Sequence, residues 1–130
     1  MTRTRLVLAE DHADVAEQLR SVLEVEFEVA AIVGDGRALL AAAERHNPDV
    51  VVTDIGLPEL DGIAATRELL RRRPGMRVVL VSVHKDQALV EQAREVGALG
   101  YVLKTTAGEC LVPAVRAALG GKPYDSLELA

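Results

Sequence analysis

Short apolar runs alternate along the chain with longer segments in which apolar residues recur every three or four positions. Unbroken runs rich in β-branched residues are typical of strands buried on both faces, and the wider spacing is typical of amphipathic helices. The strands are predicted at residues 5–9, 27–33, 50–54, 77–82 and 100–103. The helices are predicted at residues 14–23, 37–46, 63–72, 87–96 and 109–119. This alternation predicts an α/β fold built from repeated strand–helix units.

The order of these elements favours a parallel sheet of five strands with helices on both faces. Of the two common doubly wound arrangements, five strands suit the flavodoxin-like order 2-1-3-4-5. Right-handed crossovers then place helices 1 and 5 on one face of the sheet and helices 2, 3 and 4 on the other. Pro113 falls within the last helical pattern, where we expect it to delay the helix start or to kink the helix.

The chain has the length of one domain. Its 130 residues suffice for a sheet covered on both faces and leave no room for a second such unit. We assign residues 1–121 to the domain and expect residues 122–130 to begin a linker or tail without a partner element. No apolar stretch approaches a signal peptide or a membrane span, so a cytoplasmic location is expected.

The charge balance argues against a surface for nucleic acid. The net charge is -5, and the three aromatic residues, Phe27, Tyr101 and Tyr124, provide no platform for stacked bases. The basic run at residues 71–73 ends a helical pattern, where it complements the helix dipole. We therefore expect this chain itself to bind neither nucleic acid nor membrane. Cys110 is the only cysteine and is expected in the core.

Polar residues stand where four of the predicted strands end. They are Glu10 and Asp11 after strand 1, Asp54 at strand 3, Ser82 at strand 4 and Lys104 after strand 5. Ligands of open parallel sheets gather beyond the carboxyl ends of the strands. Because the predicted order places strands 1, 3, 4 and 5 side by side, we expect these side chains in one crevice.

The chemistry of these side chains is complementary. Three clustered carboxylates resist ionising together unless a cation lies among them. Hard oxygen donors suit Mg2+, which makes Glu10, Asp11 and Asp54 candidate metal ligands. Lys104 and Ser82 offer a positive charge and a hydroxyl donor to phosphoryl oxygens. An aspartate can itself accept a phosphoryl group, so the residues predict Mg2+-dependent phosphoryl transfer.

The motifs around these residues resemble the receiver domain of bacterial two-component response regulators, over nearly the whole chain. The motifs are Leu-Ala-Glu10-Asp11-His12, Val-Thr-Asp54-Ile-Gly-Leu-Pro58-Glu-Leu-Asp61-Gly62, Val-Ser82-Val and Gly97-Ala-Leu-Gly100-Tyr101-Val-Leu-Lys104. Each motif alone is weak, but all of them in order at matching strand ends are specific. The chain resembles the class that carries a LuxR-type helix-turn-helix output domain.

The resemblance implies a signalling domain that catalyses only its own phosphorylation and dephosphorylation. Asp54 would accept a phosphoryl group from a phosphohistidine of a sensor histidine kinase, and control of transcription would be the output. Glu10, Asp11, Asp54 and the backbone carbonyl of Gly56 would hold Mg2+. A homodimer formed on phosphorylation and an output domain beyond Ala130 are further expectations.

The resemblance also assigns roles on strands 4 and 5. Lys104 would pair with the phosphoryl oxygens, Ser82 would bond them after phosphorylation, and Tyr101 would turn inward as a switch. Many receivers have proline after the lysine, whereas this chain has Thr105, for which we expect a trans peptide bond. Where many receivers have alanine or glycine, this chain has Val83, whose stiff branched side chain is predicted to narrow the access to Asp54.

Other interpretations of the same residues stay open at this point. A phosphatase of the haloacid-dehalogenase kind also uses an aspartyl nucleophile, but its second acid two residues on is missing after Asp54. A nucleotide or flavin binder lacks the glycines that would cradle a phosphate in the first loop. A receiver-like module that dimerises without phosphorylation is the third alternative. His12 and His84 have no zinc-like spacing and are expected to be solvated loop residues.

Overall fold

The computed structural model describes residues 3–125, which form a parallel sheet with helices on both faces. The strands are β1 Arg5–Ala9, β2 Glu28–Val33, β3 Val50–Asp54, β4 Arg77–Ser82, β5 Gly100–Leu103 and β6 Tyr124–Asp125. The helices are α1 Ala13–Glu24, α2 Gly36–His46, α3 Gly62–Arg72, α4 Gln87–Glu95 and α5 Ala107–Leu119. A 3-10 turn at Lys104–Thr106 joins β5 to α5. Of the predicted tail at residues 122–130, residues 126–130 lie outside the described residues.

The sheet has six strands in the order β2-β1-β3-β4-β5-β6, all of them parallel. The predicted order of the first five strands is confirmed, but the prediction of five strands in total is wrong. Residues 124 and 125 pair with β5, so the prediction that they lack a partner element is also wrong. A strand of two residues is too short to show a periodic pattern in the sequence.

The helices cover the sheet as the crossover rule predicts. Helices α2, α3 and α4 pack on one face, against side chains that include Val51 of β3. Helices α1 and α5 pack on the other face, against side chains that include Val52. Neighbouring residues of a strand point to opposite faces, so an unbroken valine run serves both layers of the core. Within residues 3–125, no helix has both the length and the apolar character of a membrane span.

The start of α3 depends on close packing beneath the end of β3. The carboxylate of Asp61 caps this helix and accepts a hydrogen bond from the Ala64 amide at 2.8 Å. A Cβ atom at Gly62 would lie 2.1 Å from the backbone oxygen of Asp54, so a side chain at position 62 would collide with the strand end. Glycine at this position therefore lets α3 start directly against Asp54.

Helix α5 begins at Ala107, two residues earlier than predicted, and Pro113 lies inside it. The predicted delay is therefore wrong. Buried Ala107, Cys110 and Leu111 anchor the first turns of α5 against the sheet, which favours an early start despite the missing N–H of Pro113. The Lys104–Thr105 peptide bond is trans, as predicted.

Candidate functional site

Three strand ends bring charged side chains into contact at the carboxyl edge of the sheet. The Nζ atom of Lys104, after β5, lies 2.6 Å from Oε1 of Glu10, which follows β1. The same Nζ atom lies 3.2 Å from Oδ2 of Asp54, at the end of β3. One ammonium group therefore bridges two carboxylates that come from separate strands. We call Glu10, Asp54 and Lys104 the strand-end cluster.

The strand-end cluster is largely shielded from water. Only 3% of Glu10 and 7% of Asp54 is exposed, and the Lys104 side chain is 15% exposed. Burial by itself lowers the pKa of Lys104, but its hydrogen bonds to the two carboxylates and their charges outweigh burial, so the net pKa lies above the ordinary value. The ammonium stays charged at neutral pH and balances part of the negative charge beside it.

Asp54 is held in place by its own strand end. The hydroxyl of Thr53 donates a hydrogen bond to the backbone oxygen of Asp54 at 3.0 Å. The amide of Gly56 donates to Oδ1 of the Asp54 carboxylate at 3.3 Å. With Oδ2 facing Lys104, both carboxylate oxygens have a partner, which fixes the orientation of the group. The backbone carbonyl of Gly56 as a metal ligand stays a prediction.

Asp11 and His12 lie on the exposed rim of the same edge. The Nδ1 atom of His12 lies 3.2 Å from Oε2 of Glu10 and 3.2 Å from Oδ1 of Asp11. The His12 side chain is 71% exposed, which agrees with its prediction as a solvated residue, but its contact with both acids was missed. Adjacency in sequence was the only available signal, and the His12 amide also donates a hydrogen bond to Oε2 of Glu10 at 3.1 Å.

The donor set of this edge fits Mg2+. Within residues 3–125, the buried Oε1 of Glu10 has the Lys104 ammonium at 2.6 Å and accepts a hydrogen bond from no other group. One oxygen each from Glu10 and Asp11 and a ring nitrogen of His12 lie within 4.8 Å of one another. Carboxylate oxygens are the donors that Mg2+ prefers, so this edge could hold the ion, and the choice of Glu10, Asp11 and Asp54 as its ligands stays a prediction.

Ser82 and Tyr101 meet at the backbone of His84. The hydroxyl oxygen of Ser82 accepts a hydrogen bond from the His84 amide at 3.0 Å. The hydroxyl of Tyr101 donates to the His84 carbonyl oxygen at 2.9 Å. Burial raises the pKa of Tyr101, a hydrogen bond with Ser82 partly opposes this shift, and the nearby charge of Asp86 adds to it. One loop after β4 is thus held from two sides.

The position of Tyr101 changes one prediction. The ring is only 2% exposed and belongs to the core on the α2–α3–α4 side of the sheet. The ring is already inside this core, so the predicted inward turn does not follow from this structure, and the switch role of Tyr101 stays a prediction. Val83 lies beside Ser82 and is 65% exposed on the rim, and its role in access to Asp54 stays a prediction.

Comparison with known proteins agrees with this geometry. Residues 6–116 match the response regulator receiver domain, so the chain belongs to that family. The chain is 36% identical over 124 residues to the transcriptional regulatory protein DegU of Brevibacillus brevis, covering 94% of this chain and 52% of DegU. It is 38% identical over 119 residues to the transcriptional regulatory protein PdtaR of Mycobacterium tuberculosis, covering 88% of this chain and 56% of PdtaR. The chain spans about half the length of these relatives.

Solved structures give the same result. A LuxR-family two-component response regulator from Aurantimonas sp. SI85-9A1 superposes with a TM-score of 0.90 at 32% identity, covering 95% of this chain and 89% of that one. The signal receiver domain of the putative response regulator NarL from Mycobacterium tuberculosis superposes with a TM-score of 0.87 at 30% identity, covering 94% of this chain and 100% of that one. The flavodoxin-like receiver fold is therefore confirmed, with one strand more than predicted.

Proposed function

We propose that this receiver domain takes a phosphoryl group onto Asp54 in a Mg2+-dependent reaction and signals through the surface of β4 and β5. The observation that carries this proposal is the strand-end cluster. A buried carboxylate at the end of a central strand faces an ammonium group that already bridges it to a second carboxylate. Buried charges of this kind are common where a site stabilises a charged ligand.

In the proposed reaction, a carboxylate oxygen of Asp54 attacks phosphorus and forms an acyl phosphate. The bond from phosphorus to the donor atom breaks. This atom is a nitrogen in phosphohistidine and an oxygen in acetyl phosphate. Lys104, which lies 3.2 Å from the Asp54 carboxylate, would pair with the phosphoryl oxygens. Water later attacks phosphorus, the bond from phosphorus to the Asp54 oxygen breaks, and inorganic phosphate leaves, which restores the carboxylate. The domain thus catalyses only its own phosphorylation and dephosphorylation.

Glu10, Asp11 and Asp54 would hold Mg2+ together with the backbone carbonyl of Gly56. When bound, Mg2+ would neutralise charge on the carboxylates and on the incoming phosphoryl group. Without the ion, the ammonium of Lys104 is the cation beside Glu10 and Asp54. Lys104 therefore limits the mutual repulsion of these two carboxylates.

The partners and output belong to the same proposal. A sensor histidine kinase would supply the phosphoryl group, and a homodimer and a DNA-binding output domain would convert the event into control of transcription in the cytoplasm. The names of DegU and PdtaR as transcriptional regulatory proteins support this output. Membership of the receiver family, with the nucleophile on β3, argues against a haloacid-dehalogenase phosphatase or a flavin binder.

The test is incubation with acetyl phosphate and Mg2+, followed by intact-mass measurement. The wild-type chain should gain one phosphoryl group, and Asp54→Asn should gain none. Asp61→Asn is the matched control, because it changes the same functional group at an exposed helix cap and should label like the wild type. Asp11→Asn should label only at higher Mg2+ concentration. Equal labelling of Asp54→Asn and the wild type would contradict the proposal.

A further inference from the structure

The short strand β6 covers the edge of the sheet beside β5. The amide of Tyr124 donates a hydrogen bond to the Leu99 carbonyl at 2.9 Å, and Asp125 lies opposite Tyr101 in the parallel pairing. The chain reaches this edge from α5 through a turn in which Gly121 has a φ of 71°. We call residues 120–125 the β6 latch.

Two side chains fasten the latch to the neighbouring helices. The carboxylate of Asp125 forms an ion pair with Arg94 of α4 at 2.7 Å. Tyr124 packs against the core on the α1–α5 side, where Cys110 of α5 is its hydrogen-bond neighbour. Cys110 is only 2% exposed. The latch therefore contacts α4, β5 and α5 at the same time.

A continuous set of contacts connects the latch with the strand-end region. The Ser82 hydroxyl, at the end of β4, holds the amide of His84. Three residues after His84, α4 begins at Gln87, and Arg94 lies in the last turn of this helix. A change of partner at Ser82 would remove one of the two hydrogen bonds that hold His84 and leave the one from Tyr101, so the loop before α4 would be held less firmly. A shift of α4 would then pull Arg94 away from Asp125.

The attachment of the latch is weak enough for such a shift to release it. The strand has two residues, and its ion pair is partly exposed, with 54% of the Arg94 side chain and 22% of the Asp125 side chain accessible. Exposed ion pairs contribute little to stability, and segments with few buried contacts open before the core does.

We propose that the β6 latch is an output element that is docked across β5 when Asp54 is unmodified and is released when Asp54 is phosphorylated. Release follows when Ser82 leaves the His84 amide for the phosphoryl group and α4 moves. This inference rests on the proposed function at Asp54. The receiver would thereby expose the β5 edge and free the chain segment that follows α5.

Cys110 provides the measurement, because it is the only cysteine of the chain and lies beneath Tyr124. The rate at which Ellman's reagent modifies this thiol under native conditions reports how often the latch opens. Tyr124→Ala uncovers the thiol and sets the upper limit of the rate. Each sample is also measured by intact mass, so that phosphorylation and thiol reactivity are known for the same protein.

Arg94→Ala should raise the rate about two- to fivefold without a phosphodonor, the range that loss of one exposed ion pair allows. Arg71→Ala is the matched control, since it removes an arginine from a surface ion pair on α3, and should leave the rate unchanged. Phosphorylation of the wild type should raise the rate at least about threefold. This increase is similar to the one expected from loss of the Arg94–Asp125 ion pair. Asp54→Asn treated in the same way should show no increase.

A phosphorylated wild-type chain with an unchanged thiol rate would overturn the latch and leave the function of Asp54 intact. An Arg94→Ala rate equal to that of Arg71→Ala would overturn it as well. Absence of a phosphoryl group in the mass spectrum would overturn the proposed function, and the latch with it.

Discussion

Two ion clusters of three residues each, one with a shared cation and the other with a shared anion, lie in very different surroundings. In the strand-end cluster, Lys104 is shared by Glu10 and Asp54 at 2.6 and 3.2 Å. On the surface of α3, Glu68 is shared by Arg71 and Arg72 at 2.6 and 2.7 Å. Lys104 is 15% exposed, whereas Arg71 and Arg72 are 70% and 48% exposed. The distances are alike, but the exposure to water is not.

The surface cluster follows from helix geometry alone. Glu68 lies three and four residues before its partners, which are neighbours on a helix surface. Hydrogen bonds from Arg71 and then Arg72 lower the pKa of Glu68 to about 2. Water screens these charges, so the cluster contributes little to stability. Its members could be exchanged without harm to the fold.

The strand-end cluster has a different energetic balance. Removing ions from water costs several kcal/mol each, and apolar side chains in the same place are often no less stable. Glu10, Asp54 and Lys104 nevertheless lie at the carboxyl end of a sheet whose central strands consist mainly of buried apolar residues. The two clusters have similar distances but different exposure, so short ion-pair distances alone do not indicate a functional site. Burial of charged groups at the carboxyl ends of parallel strands is the more specific indication.

The largest effect should come from removing the shared cation. Lys104→Met leaves Glu10 and Asp54 buried without their partner, so the free energy of unfolding should fall by about 2–3 kcal/mol in the presence of a chelator. Urea denaturation measures this loss, with Lys122→Met, at an exposed lysine, as control. Added Mg2+ should recover part of the loss. Equal urea midpoints for the two variants would show that removal of Lys104 from the strand-end cluster costs no more stability than removal of a surface lysine.

A smaller effect concerns access to Asp54 from the rim. Val83 is 65% exposed next to Ser82, and its branched side chain is predicted to obstruct small phosphodonors. Val83→Ala should speed labelling by acetyl phosphate about tenfold, equivalent to about 1.4 kcal/mol of barrier, with Mg2+ affinity nearly unchanged. Val25→Ala, at another exposed valine, is the control. The predicted obstruction by Val83 is wrong if both variants label at the wild-type rate at matched Mg2+ concentration.

A third comparison concerns Tyr124, where burial changes a pKa without an ion-pair partner for the tyrosine. Burial, the neighbouring Cys110 and the charge of Asp125 raise the pKa of Tyr124 to about 12. The folded chain therefore holds this proton more tightly than the unfolded chain, whose tyrosine has a pKa of about 10. The stability contribution is complete below about pH 10 and is lost as pH rises towards 12.

Urea denaturation at a series of pH values follows this loss. The pKa of Lys104 is also raised, so its contribution to stability is likewise lost as pH rises. Comparison of the wild type with Tyr124→Phe therefore isolates the effect of the tyrosine. The variant should show a shallower decline at alkaline pH. Parallel curves for the two proteins would mean that Tyr124 titrates as an ordinary exposed phenol.

The smallest effect belongs to the surface cluster itself. Glu68→Gln should leave the urea midpoint at pH 7 nearly unchanged, because its two arginine partners are exposed and water screens the ion pairs. Because its pKa is lowered on folding, ionised Glu68 contributes to stability above the ordinary pKa of about 4.5, and this contribution is lost as pH falls towards 2. The variant should therefore lose less stability in acid. A large loss at pH 7 would remove the energetic contrast between the two clusters.

The sequence was sufficient where a pattern is both long and apolar. Strands β1, β3, β4 and β5 lie within the predicted residues because uninterrupted valine and leucine runs leave no alternative register. The contact of Lys104 with Glu10 and Asp54 followed from the strand order, since the carboxyl ends of neighbouring parallel strands meet at one edge.

Local geometry set the limits of the sequence analysis. β6 was missed because two residues carry no period, and its partner, β5, is distant in sequence. The contact of His12 with Glu10 and Asp11 depends on how one loop turns. Tyr101 packs in the core and its hydroxyl donates a hydrogen bond to the His84 carbonyl, a backbone contact that residue types do not predict.

The most direct test of the account is to identify the phosphorylated residue itself. The wild-type chain is treated with acetyl phosphate and Mg2+, the acyl phosphate is reduced with borohydride, and the peptides are sequenced by mass spectrometry. An aspartyl phosphate is converted to homoserine by this reduction. We expect homoserine at position 54 and unmodified Glu10, Asp11 and Asp61. A reduced residue at any of those three positions, or no reduced residue at all, would contradict it.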